Sequence, residues 1–92
     1  MNPAWARVGA VFMFAAVAAG AFGAHALKAA LTEEMRPVFE TGARYHAYHA
    51  LGLFAVAWLA QRSPSGWVTA AGWCFVLGIV LFSGSLYALS LS

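Results

Sequence analysis

Three histidines and three tyrosines are the side chains with which this chain could do chemistry, and four of the six crowd into Tyr45-His46-Ala47-Tyr48-His49. His46 and His49 stand at i and i+3, a spacing that sets two imidazoles on one side of a helix, where they could share a metal ion; alternatively, one imidazole could ligate haem, serve a quinone, or relay protons with Tyr45. The set is incomplete. A zinc site wants about four ligands, no aspartate occurs, and the single cysteine, Cys74, sits in an apolar run without a second thiol to form a CxxC pair or a disulfide. We therefore expect neither metal nor cofactor, with His46 and His49 the pair that a metal would have to use. No nucleophile with a base beside it, no phosphate loop and no paired carboxylates occur, so no enzymatic activity is expected either.

The elements that must position these residues follow from hydropathy. The chain is 63% hydrophobic and 9% charged with a mean hydropathy of +0.76, against roughly 25% charged in a soluble domain. A water-soluble globule of this size would leave much of that apolar surface in water. Arg7, Lys28, Glu33, Glu34, Arg36, Glu40, Arg44 and Arg62 are all its charges, too few and too scattered for a nucleic-acid surface. They divide the chain into three uncharged stretches, which predict transmembrane helices at about 8–27, 45–61 and 67–91. Thr32, followed by Glu33 and Glu34, reads as a helix N-cap, and Pro37 suits an early helical position. Segment 28–44 is thus an amphipathic lead-in to the second span, with Glu40 and Arg44 in the favourable i, i+4 order. Ser63-Pro64-Ser65-Gly66 is a tight turn joining spans two and three. Ala24-His25-Ala26 resembles a signal-peptide cleavage site, but the apolar stretch before it is longer than a signal core and two further spans follow. The fold class is an all-α integral membrane bundle of a single domain, residues 1–92, with the lipid bilayer as its first partner.

Alternating spans fix depth. His25 ends the first, Arg44, Tyr45 and His49 begin the second, and Ser83, Ser85 and Tyr87 fall late in the third, so all gather toward one membrane face. Trp5, Trp58 and Trp67 mark the other as an aromatic belt. At 100° per residue Gly42, Tyr45, His46 and His49 share one arc, with Arg44 and Tyr48 turned away. Polar groups at membrane depth face other helices, so His25, His49 and Tyr87 are expected to point inward as interhelical glue worth about 0.6 to 2 kcal/mol per hydrogen bond. Ala16, Gly20, Gly23, Gly42, Gly78 and Gly84 are the small residues expected to let the helices close on one another.

Three stretches taken together, Gly20-Ala-Phe-Gly-Ala-His25-Ala-Leu27, Thr41-Gly-Ala-Arg44-Tyr45-His-Ala-Tyr48-His49-Ala-Leu51 and Leu81-Phe-Ser83-Gly84-Ser85-Leu-Tyr87, resemble a family of small membrane proteins with a domain of unknown function that includes the transmembrane protein 256-like proteins. The resemblance covers nearly the whole chain. It implies a protein of bacterial inner or organellar membranes with four helices and no assigned activity, and its pattern falls on Gly20, Gly23, His25, Thr41, Gly42, Arg44, Tyr45, His49, Ser83, Gly84, Ser85 and Tyr87, with His46 fitting less well. This chain stops at Ser92, where the family continues into a fourth helix, so the expectation is either a shortened chain or a neighbouring chain or lipid on the exposed flank. Lys28, Arg36 and Arg44 outnumber Arg7 and Arg62, which by the positive-inside rule puts the first loop in the cytoplasm; four-helix relatives with both ends cytoplasmic would put the polar residues on the outer face, the arrangement preferred here.

The functional expectation is a non-enzymatic, multi-pass protein of a bacterial inner membrane, acting as a structural or accessory component and forming a homo-oligomer or part of a larger membrane complex. A histidine-based metal, haem or quinone protein is the alternative. A transporter is the third reading, and it would need oligomers because three helices hardly enclose a path.

Overall fold

A computed structural model describes residues 1–25 and 29–92. Three helices account for nearly all of them: α1 (Pro3–Ala24), α2 (Arg36–Arg62) and α3 (Gly66–Leu91). Each begins where local chemistry allows. Asn2 caps α1 by accepting from the Trp5 N–H at 3.1 Å, with Pro3 in the first turn, where its missing N–H costs nothing. The helix therefore starts five residues before the expected residue 8 and includes Arg7. Its expected end at Ala26 and Leu27 lies outside the described residues, as does Lys28.

Thr32 does not cap α2. It closes a separate turn, its Oγ1 accepting from the Met35 N–H at 3.2 Å, and α2 begins after it at Arg36 with Pro37 in its first turn and no acid there. From that point the lead-in and the second span are one unbroken helix of 27 residues. After Ser63 and Pro64, Ser65 caps α3 through the Val68 N–H at 3.3 Å.

α2 is the middle helix. Along it, Phe39, Gly42, His46, Ala50, Leu53 and Ala57 are buried, a stripe with the alternating three- and four-residue spacing of a helix that packs on neighbours. Contacts with α1 run in opposite order along the two chains. The Asn2 N–H donates to the Ala57 carbonyl at 2.8 Å, Gly9 lies against Leu53, and Gly23 lies under the Phe39 ring. α3 runs antiparallel to α2 along an adjacent face, with Gly52 under Phe75, Gly78 against His49, and Gly42 against Leu86 and Tyr87. The result is a bundle of 46 × 19 × 14 Å, about as long as a bilayer with its headgroups is deep, in which Trp5 of α1 also reaches α3, against Gly72 and edge-on to Trp73.

α1 and α3 are each long and apolar enough to cross a membrane. By composition α2 is not among such helices, because Tyr45, His46, Tyr48 and His49 dilute its apolar half. The outer surfaces are apolar nonetheless, with Phe14, Val17 and Phe22 on α1 and Trp67, Trp73 and Leu81 on α3 all exposed. The tie to Ala57 is a backbone bond that any residue at position 2 but proline keeps, so Asn2→Ala loses the cap alone and should cost about 1 kcal/mol, while Asn2→Asp keeps most of the stability. Thermal midpoints in detergent check this.

Candidate functional site

The polar residues that meet do so where all three helices come level. Their geometry begins with a break in α3: between Ile79 and Ser83 the helix opens into a π turn, closed by the Gly84 N–H reaching back to the Ile79 carbonyl. The wider turn lets two consecutive residues face α2, a local irregularity common at functional positions. Phe82 meets the Tyr45 ring with centroids 5.6 Å apart. Ser83, 1% exposed, donates from Oγ to the Gly42 carbonyl at 2.8 Å. A helical carbonyl is thereby bonded across the interface, which only a small residue at 42 permits: a Cβ there would stand 3.1 Å from the Tyr87 ring and 3.2 Å from Leu86.

One turn further, the Tyr87 hydroxyl lies 2.9 Å from His46 Nδ1. His46 is 5% exposed, enclosed by Phe12 of α1 with ring centroids 6.0 Å apart and by Tyr87, whose ring also packs on Phe39 at 5.0 Å. The Phe12 backbone approaches the imidazole, yet Nε2 makes no hydrogen bond of proper geometry. His46 and Tyr87 therefore join α2 to α3 beneath a ring supplied by α1.

The other expected site residues take different places. His49 is half-buried and spends Nδ1 on the Tyr45 carbonyl of its own helix, 2.6 Å away. A carbonyl only accepts, so that nitrogen carries the proton, and the rest of the ring packs on Gly78 and edge-on to Phe75. His25, expected to point inward, is exposed at the end of α1 beside Ala18, Ala21 and Phe22. Arg44, Tyr45 and Tyr48 are exposed. Ser85 is exposed too and bonds the Leu81 carbonyl of its own helix. Among the small residues Ala16 is buried, Gly23, Gly42 and Gly78 lie against neighbouring rings, and a Cβ on Gly20 or Gly84 would meet nothing within 4 Å. No group of three or more metal-binding side chains converges among the described residues; His46 turns to Phe12 and Tyr87, and His49 to Phe75.

His46 is the residue that sequence reasoning undervalued. Its signal was present, because it falls on the stripe Phe39, Gly42, His46, Ala50, Leu53, Ala57, where a helical reading puts the core.

Residues 19–92 match the model of a family described as protein of unknown function (DUF423). The chain belongs to that family. It is 54% identical over 86 residues to the UPF0382 membrane protein YwdK of Bacillus subtilis, an overlap of 92% of this chain and 70% of that one. The UPF0382 inner membrane protein YgdD of Escherichia coli is 42% identical over 83 residues, covering 90% of this chain and 63% of its own length. The UPF0382 membrane protein SH2409 of Staphylococcus haemolyticus is 40% identical over 85 residues, 92% of this chain and 69% of its own. No solved structure matches. Membership of DUF423, relatives named as membrane proteins and two helices of spanning length and hydropathy make this a membrane protein in contact with the bilayer. The transmembrane protein 256-like resemblance is compatible with that membership.

Proposed function

We propose that the chain is a three-span accessory or structural protein of a bacterial inner membrane, without catalytic activity, that works by associating with itself or with a larger membrane assembly. The third span is α2: its 27 residues are about 40 Å as a helix, and its two histidines turn to α1 and α3 while Tyr45 and Tyr48 remain on the exposed side. One observation carries the reading. The buried hydroxyls and imidazole at the joint are spent on holding helices together, Ser83 to Gly42 and Tyr87 to His46, while the outward surfaces are apolar and leave Gly20 and Gly84 uncovered. Polar chemistry is turned to packing, and the surfaces left over are of the kind that another helix can cover.

Extraction of the intact protein in a mild detergent followed by native mass spectrometry is the test. Dimers, higher oligomers or a co-purifying membrane protein are the expected result. Monomer alone, with no companion, overturns it.

A further inference from the structure

The outward face of α2 sets one cation beside an apolar lane. Arg44 is exposed there, and further along the same side come Tyr48, Leu51, Ala55 and Leu59, all exposed, with no charged residue until Arg62. Among the described residues Arg44 is thus the charge nearest the apolar band at this end of α2. A guanidinium cannot shed its proton, so at the edge of the hydrocarbon it needs an anion. The chain supplies few. Its acids are Glu33, Glu34 and Glu40, all before Arg44, and neither α1 nor α3 contains one. Glu40 stands one helical turn before Arg44, and among the described residues no ion pair joins the two.

The surroundings of Arg44 suit a phosphodiester. Tyr45 and Tyr48 are exposed beside it, their rings edge to face at 5.5 Å, and a phenol hydroxyl can donate to a phosphate oxygen. Helical Cα–Cβ bonds tilt toward the N-terminus, which leans Arg44 away from the acyl region and toward the headgroups. We propose that Arg44, with Tyr45 and Tyr48 beside it, binds the phosphate of an anionic phospholipid whose acyl chain lies along Leu51, Ala55 and Leu59. The site is charge-complementary, and its apolar lane begins where a glycerol backbone would end.

Native mass spectrometry of the full chain in detergent, titrated with phosphatidylglycerol or with phosphatidylcholine of the same acyl composition, tests this. Phosphatidylglycerol adducts should exceed phosphatidylcholine adducts by about five-fold. Arg44→Gln should bring the two to parity, with an unchanged circular dichroism spectrum establishing that the variant is folded. Arg44→Lys should keep part of the preference, since the charge remains without the planar fork. Arg62, already stacked on Trp58 at 5.0 Å, serves as the control, and Arg62→Gln should leave the preference intact. Equal binding of the two lipids by the unaltered protein, a preference that survives Arg44→Gln, or an equal loss on Arg62→Gln overturns the site. Displacement of the lipid by inorganic phosphate would overturn it too, as the mark of a free-anion site.

Discussion

Gly52→Val is expected to lower stability by about 2 to 4 kcal/mol, through crowding of a packed contact with a β-branched side chain added inside a helix. The Phe75 ring lies against Gly52, and even a Cβ there would stand 2.5, 2.6 and 2.9 Å from three of its ring atoms. Phe75 also packs edge-on to His49 with centroids 5.8 Å apart, so moving it from residue 52 costs a second contact on the same helix. Gly52→Ala gains about 1 kcal/mol of helix propensity against an overpacking cost of about 1 to 3 kcal/mol, so its net loss is smaller. Gly52→Ala combined with Phe75→Leu should recover more than the two single changes predict, because the leucine vacates the space that the methyl needs. Gly20→Ala is the comparison of opposite sign: nothing stands within 4 Å of its Cβ position, and on dissociated protein the same propensity term, up to about 1 kcal/mol, should appear as a gain. Reversible unfolding in mixed detergent reads all five variants, the Phe75→Leu single change included. Equal losses at Gly52 and Gly20 would mean that Phe75 does not pack as described.

How much of this was legible in the sequence differs by kind of information. Charge spacing located the apolar helices and their order, because a charged side chain cannot be hidden in hydrocarbon cheaply. Depth followed from the same spacing, which is why Ser83, Tyr87 and the start of α2 were placed at one level. Orientation about each helix axis did not follow. His25 and Tyr87 have similar depth and similar polarity, but one lies at the open end of α1 and the other faces α2; only the positions of the neighbours separate them. α2 has two neighbours, so its inward surface is a pair of adjacent stripes. One stripe, with Phe39, His46 and Leu53, meets α1, the other, with Gly42, Tyr45, His49 and Gly52, meets α3, and Tyr87 of α3 reaches across to Phe39 and His46 of the first. A single polar arc merged the two and obscured that His46 lies deepest. The π turn was illegible for another reason. Ile79-Val80-Leu81-Phe82-Ser83 carries no proline, glycine or charge to announce it; it is favoured by the contacts that Phe82 and Ser83 both make with α2, a tertiary cause.

The second large effect is expected at the joint itself. Tyr87→Phe keeps the ring on Phe39 and over Gly42 but removes the hydroxyl 2.9 Å from His46 Nδ1. Whichever of the two groups donates that hydrogen bond, Nε2 already lacks a partner of proper geometry, so the substitution leaves a buried imidazole with neither nitrogen satisfied. A cost of about 1 to 3 kcal/mol follows from the desolvation that is no longer offset. His46→Leu fills a similar volume with an apolar side chain and strands the tyrosine hydroxyl instead, for a loss of the same order. With both changes together no polar group is left to satisfy, so the double variant should be more stable than the sum of the singles implies, with a coupling of about 0.6 kcal/mol and at most about 1.7, the mean and maximum for interhelical hydrogen bonds in a membrane. Additive losses would separate His46 from Tyr87 and remove the link on which the glue reading rests. The cycle also separates that reading from its rival: if the imidazole serves only to hold α2 and α3 together, a folded His46→Leu/Tyr87→Phe protein should keep the oligomers or companions of the unaltered chain. A stable double variant that has lost them would assign His46 a role in binding, beyond packing.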